Sequence, residues 1–128
     1  MSSFTDHLLL EDLGDEHFEL LQRFRYRVGD ESSNEIIDVP RGFITDFASV
    51  PRLFWNVIPP YGKHGKAAVV HDYLYGTNGL YGRYSRARCD AIFLEAMAVL
   101  GVGVIRRQIM FRAVRAFGFT AWQQSANQ

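Results

Sequence analysis

Two periods of hydrophobicity divide the chain. In residues 18–28, FELLQRFRYRV, apolar side chains partly alternate (Phe18, Leu20, then Phe24, Tyr26, Val28), with Arg23, Arg25 and Arg27 on the opposite face. Period two predicts a half-buried strand. Gly29 to Asn34 reads as a turn, EIIDV at 35–39 as a second strand, and Pro40-Arg41-Gly42 as a corner before a short third strand at Phe43-Ile44. HLLL at 7–10 reads as an edge strand before a turn at Gly14-Asp15. After about residue 50 the spacing lengthens to that of helices. Pro51 suits the first turn of a short helix through PRLFWNVI, with Ser49 nearby as a cap. A second helix is predicted from about 63 to 75, stopped by Gly76-Thr77-Asn78-Gly79. Ser85 should cap a third, RARCDAIFLEAMAVL, ending at Gly101. The last spans 104–117, with Ile105, Ile109, Ala113 and Phe117 as its apolar stripe, and the polar tail after Trp122 is expected to fray. The pattern predicts one α+β domain over 1–128: a small N-terminal antiparallel sheet (strands in about 5–45), then three to four helices (about 50–120).

Composition narrows this picture. A chain of 128 residues, 48% hydrophobic and 22% charged, can bury a core. Cys89 is the single cysteine, so an internal disulfide and a paired-cysteine zinc site are excluded. The start, MSSFTDHLLLEDL, lacks the basic stretch and long apolar run of a signal peptide, and no run approaches a membrane span. A reducing compartment is the expected location. Net charge is zero but polarised: residues 1–60 carry 11 acids and 5 bases, residues 61–128 carry 3 and 9. The basic half could meet lipid or nucleic-acid phosphates; equally, the halves could neutralise each other, and no nucleic-acid partner is expected. The arginines of the last helix could lie on an anionic bilayer or snorkel from a packed helix.

The chemistry concentrates at AAVVHDYLY, 67–75. His71 and Tyr75 are four apart and share a helix face, whereas Asp72 points elsewhere. His71 suits a general base, and Asp72 a hard-cation ligand at the same cleft. His71 then needs another carboxylate to orient it. Asp90 in the next helix lies on an apolar face made by Ala87, Ala91, Phe93, Leu94 and Met97, where it must be paired. The same four residues also suit a ligand site without turnover, or a buried polar network joining two helices. Lesser candidates are Asp46 as helix cap or metal ligand, Ser49 with His71 as a nucleophilic pair, and His64 with His71 as a metal pair. Cys89 reads as a packed thiol, and His7 and His17 as surface residues.

HDYLY at 71–75 with RARCDAIF at 86–93 resembles the paired helices of the phospholipase A2 superfamily and its H-D-x-x-Y signature. The parvovirus capsid phospholipase domain looks similar over this segment. The resemblance covers about 61–97. It implies His71 as base, Asp72 as calcium ligand, and Tyr75 and Asp90 as the supporting network; PPYGKHG at 59–65 would be the calcium loop. The substrate would be an ester or amide in a lipid or cell-envelope setting. VPRGFITDFASVPRLFWNVIPP, KAAVVHDYLY, SRARCDAIFLEAM and RAVRAFG are in turn similar, in this order, to a phage and prophage family catalogued as domain of unknown function 1353. That resemblance covers nearly the whole chain and draws attention to Thr45, Asp46, Ser49 and Arg52. Two functions follow as expectations: a small phage-encoded hydrolase, or a non-catalytic virion or tail-assembly component, bound to other phage structural proteins, in which the HDxxY helix is structural.

Overall fold

The computed structural model describes residues 3–4, 6–15, 17–29, 35–47 and 65–126. The helix expected near 51–58, the loop 59–64 with His64, and Ser49 and Arg52 lie outside the described residues. The chain divides into two compact units, Met1–Asp46 and Phe47–Gln128, and the division falls where the strand pattern gives way to the helical one.

The first unit holds two antiparallel three-stranded sheets rather than one. In the first, β4 (Phe24–Arg27) lies between β1 (Ser3–Phe4) and β5 (Ile36–Val39). Its register sets Phe24 opposite Val39 and Tyr26 opposite Ile37, and all four are buried. Phe4 stacks on Phe24 at 5.3 Å. Asp6, just beyond β1, accepts from the Arg25 backbone and side chain at 2.9 Å, and this grip holds its carboxyl below the usual range. In the second sheet, β3 (His17–Leu20) lies between β2 (Leu10–Gly14) and β6 (Ile44–Thr45).

The strand expected over 18–28 is therefore two strands, β3 and β4, in different sheets. The break falls at Leu21-Gln22-Arg23, all exposed, where the inward position of the period is occupied by polar Gln22. The edge strand expected at 7–10 begins only at Leu10 and runs to the Gly14-Asp15 turn, and β1 had no period to announce it.

The second unit is helical. α1 (Gly65–Gly76) buries Ala67 to His71, Leu74 and Tyr75; a helix apolar on most sides belongs inside a bundle. It packs on α3 (Arg86–Val99) and α5 (Phe119–Ala126), and α3 packs in turn on α4 (Val104–Phe117). Ser85 caps α3 as expected, accepting from Arg88 N–H at 3.1 Å. After α3, Val102 N–H reaches Met97 and Gly101 N–H reaches Ala98, a Schellman ending.

Three expectations change here. On α3 the buried face is Cys89, Asp90, Ile92, Phe93, Ala96 and Met97, whereas Ala87 is exposed and Ala91 and Leu94 are half-buried. On α4 the buried residues are Met110, Ala113 and Val114, while Ile105, Ile109 and Phe117 face solvent. Steps of four drift around a 3.6-residue helix, so Ile105 and Ile109 fall to one side of the packed face and Ala113 reaches it, while Phe117 stands exposed in the last turn. The tail is helical to Ala126, because Trp122 is held at both its backbone and its ring, as described below.

The connection from α1 to α3 is strained. α2 (Asn78–Gly82) is a single turn in left-handed dihedrals, with φ of 48° at Asn78, 71° at Gly79, 55° at Leu80 and 61° at Tyr81. Such a turn costs roughly 1–2 kcal/mol at each non-glycine residue. It persists because its polar groups are satisfied. Thr77 Oγ1 accepts from Leu80 N–H at 3.0 Å, Tyr84 N–H reaches the Gly79 carbonyl at 2.8 Å, and Asn78 Nδ2 donates to the Trp122 carbonyl at 3.0 Å. A Cβ at Gly79 would lie 1.9 Å from the Tyr84 carbonyl oxygen. Gly79→Ala should therefore destabilise the protein by at least about 1–2 kcal/mol, read as a lower urea midpoint; an unchanged midpoint would contradict this geometry.

Candidate functional site

The helix spacing and the cap at Ser85 bring one carboxylate, Asp90, against donors from α1 and α4 and near a guanidinium of its own helix. Its Oδ1 accepts from His71 Nε2 at 2.7 Å and from the Tyr75 hydroxyl at 2.8 Å, both on α1. Its Oδ2 accepts from Arg115 Nη1 on α4 at 2.8 Å. Arg86, four residues earlier on α3, stands 3.7 Å from the same oxygen. His71 and Asp90 are both 0% exposed.

The donor set dictates the tautomer. An ionised carboxylate only accepts, so His71 Nε2 carries the proton in this bond. The ring is held on both sides, with its centroid 4.3 Å from that of Tyr75 and 4.5 Å from that of Phe93. Tyr75 meets Trp122 edge-on at 5.3 Å. Burial, the Asp90 charge and its hydrogen bond push the Tyr75 hydroxyl well above its ordinary pKa, so it stays a donor. Burial pushes the Cys89 thiol up to about 12, with the Asp90 charge adding to it. Cys89 is thus the packed thiol expected. Asp90 itself is pulled two ways. Burial would raise its pKa, but the His71 bond and charge, with the Tyr75 and Arg115 bonds, outweigh burial and hold it below its ordinary 3.8.

Arg86 shows why the network extends to α4. A cation in a helix's first turn opposes the dipole. Here the guanidinium turns away to serve another helix: it donates to the Val114 and Arg115 carbonyls at 3.1 Å, at the C-terminal end of α4, and to the Tyr75 hydroxyl at 3.3 Å. Gly118 follows at once. A Cβ there would lie 2.7 Å from the Tyr75 hydroxyl, so only glycine lets the α4–α5 corner close over the network.

Of the predicted residues, His71, Tyr75 and Asp90 come together. Asp72 is half-buried and takes no part in the contacts on Asp90. Among the described residues no group of three or more His, Cys, Asp or Glu side chains could hold a metal ion. Calcium takes about six to eight oxygens, and one carboxylate offers two. The loop expected to supply the remaining oxygens, at 59–64, lies outside the described residues. Asp46 is half-buried and Thr45 buried; His7 and His17 are exposed, as expected. Sequence reasoning missed Arg86, Arg115 and Trp122. Arg86 carried one signal, an arginine placed against a helix dipole; Arg115 and Trp122 carried none that separates them from surface residues.

Loss of the network is testable by pH. A folded pKa below the unfolded one contributes stability above the unfolded value and loses it as pH falls through the folded value. Stability should thus decline below about pH 4, with Asp90 a contributor. Asp90→Asn should flatten that decline and cost about 3–5 kcal/mol at neutral pH, since it leaves buried donors uncompensated. Urea unfolding across pH checks both; an unchanged acid slope would contradict the assignment.

Residues 18–114 match the family described as Protein of unknown function (DUF1353). The chain is 33% identical over 105 residues to the Uncharacterized protein y4jT of Sinorhizobium fredii, an alignment covering 79% of this chain and 29% of that protein. The chain thus spans under a third of the length of this curated relative. No solved structure matches it. His71, Tyr75, Arg86 and Asp90 fall within the family match and Arg115 one residue beyond it, and on a match of this extent the chain belongs to the DUF1353 family.

Proposed function

We propose that the chain is a non-catalytic assembly module, a component of a phage virion or tail, in which the HDxxY helix is a clasp rather than a catalytic element. One observation carries this reading: His71 and Asp90 are closed to solvent. A general base must reach the proton that it removes, directly or through one water. A carboxylate that serves two arginines, a tyrosine and a histidine across three helices is placed to fix their packing. The phage setting is what the resemblance to a phage and prophage family implies.

A second reading, the phospholipase-like hydrolase acting on a host-envelope ester or amide, is favoured by the bonds themselves. His71 Nε2 on Asp90 at 2.7 Å, with Tyr75 on the same oxygen at 2.8 Å, is the support that the resemblance implies for a base. The base would then be Nδ1, Asp90 would hold the ring, and substrate access would need a movement that opens His71. Calcium would be Asp72's to bind in that reading, but the described residues do not supply its ligands, so no step runs through it.

The test is fatty-acid release from phosphatidylglycerol vesicles, with calcium and with chelator, by the native protein and by His71→Gln, alongside thermal unfolding of both. The clasp reading expects no release from either, and a midpoint lower by several degrees in His71→Gln. Release by the native protein that His71→Gln abolishes would establish the hydrolase instead.

A further inference from the structure

The outer face of the second sheet carries a mismatch within its own unit. Register sets Glu11 opposite Glu19, and Glu19 opposite Ile44. One row across β2, β3 and β6 thus holds two acids and an isoleucine that is 52% exposed. Leu21 N–H donates to the Leu9 carbonyl at 2.9 Å, which puts Leu9 and Leu21 side by side two positions along, on the same face, and both are exposed. The opposite face holds Leu20 and Thr45, both buried. Like charges directly opposed on a sheet destabilise it. An exposed apolar patch around such a pair suits a partner that brings apolar contact and a cation together.

The same chain offers that chemistry. On α4, Ile105, Ile109, Arg112 and Ala116 are spaced by four, three and four residues, so they share one face, and all are exposed, Ile105 by 76%. From residue 96 onward the chain has four arginines and no acid, whereas residues 1–46 have 11 acids and 4 bases. Arg112 lies along one edge of this apolar stripe. A helix face that sets an arginine beside isoleucines matches a sheet face that sets acids beside leucines and an isoleucine. We propose that α4 of one copy docks on the outer face of the β2-β3-β6 sheet of a second copy. The contact is heterologous, since each copy uses a different face, and it builds rings or open filaments. It deepens the assembly reading by naming a partner, and rests on that reading only to this extent.

The test is sedimentation velocity from low to high micromolar protein, at low and high salt. The native chain should associate with rising concentration, less so in high salt, because exposed charges are screened. Ile105→Glu with Arg112→Glu should be monomeric, as should Glu11→Lys with Glu19→Lys. Mixed, the two variants should associate again, as dimers or longer alternating assemblies, because each keeps one intact face and their reversed faces also match in charge. Circular dichroism checks that each is folded; should the sheet variant lose its fold, Ile44→Arg tests the same face from the edge strand. A native chain that stays monomeric, association that mixing fails to restore, or a monomer that sediments only with phosphatidylglycerol vesicles would each overturn the proposal, the last in favour of lipid. A monomer would leave the clasp standing, since that is read separately by the unfolding of His71→Gln.

Discussion

A single carboxylate, taken out of water, organises the helical unit. Burial of Asp90 is costly unless its lone pairs find donors, and the donors come from α1 and α4, with the Arg86 guanidinium of α3 standing 3.7 Å away. Much of the local architecture follows from that requirement. His71 and Tyr75 must lie one turn apart on the inner face of α1. Arg86 must sit in the first turn of α3, against the dipole, so that it can reach both the network and the end of α4. Gly118 must lack a side chain, because the corner after α4 passes against the Tyr75 hydroxyl. The strained turn after α1 returns the chain to α3, and Asn78 ties that turn to Trp122 on α5.

The same arrangement bears on chemistry. A histidine held by a carboxylate through Nε2 is oriented for proton transfer to Nδ1, and orientation is half of what a general base needs. Access is the other half, and His71 has none in this state. Two guanidiniums near Asp90 also change the balance. A carboxylate that already faces Arg115 at 2.8 Å has less of its charge left to stabilise an imidazolium. Rigid packing and a guarded charge are properties of a clasp.

How far the sequence revealed this depended on whether local spacing or distant contact decided the matter. The α+β class, the 104–117 helix, the Ser85 cap and the meeting of His71, Tyr75 and Asp90 all rest on short-range rules of period and capping, and they were legible. The split of 18–28 was not read, although polar Gln22 at an inward position marked it. The outward turn of Ile105 and Ile109 could not be read at all. An isoleucine at helical spacing signals a core, and only the bundle decides which side of α4 is covered. Arg115 and Trp122 gain their roles from elements that are 25 or more residues away in sequence. Leu9, Leu21 and Ile44 became one face only once strand register was known.

Closure of His71 to solvent is the claim that most depends on the network, and it can be measured directly. Hydrogen–deuterium exchange at imidazole C2, followed by mass spectrometry of the native protein, reports each histidine separately. His7 and His17 are exposed and serve as internal references. A clasp predicts that His71 exchanges far more slowly than both. Exchange of His71 at the rate of His7 and His17 would mean that water reaches the ring, and would contradict the clasp in favour of a working base.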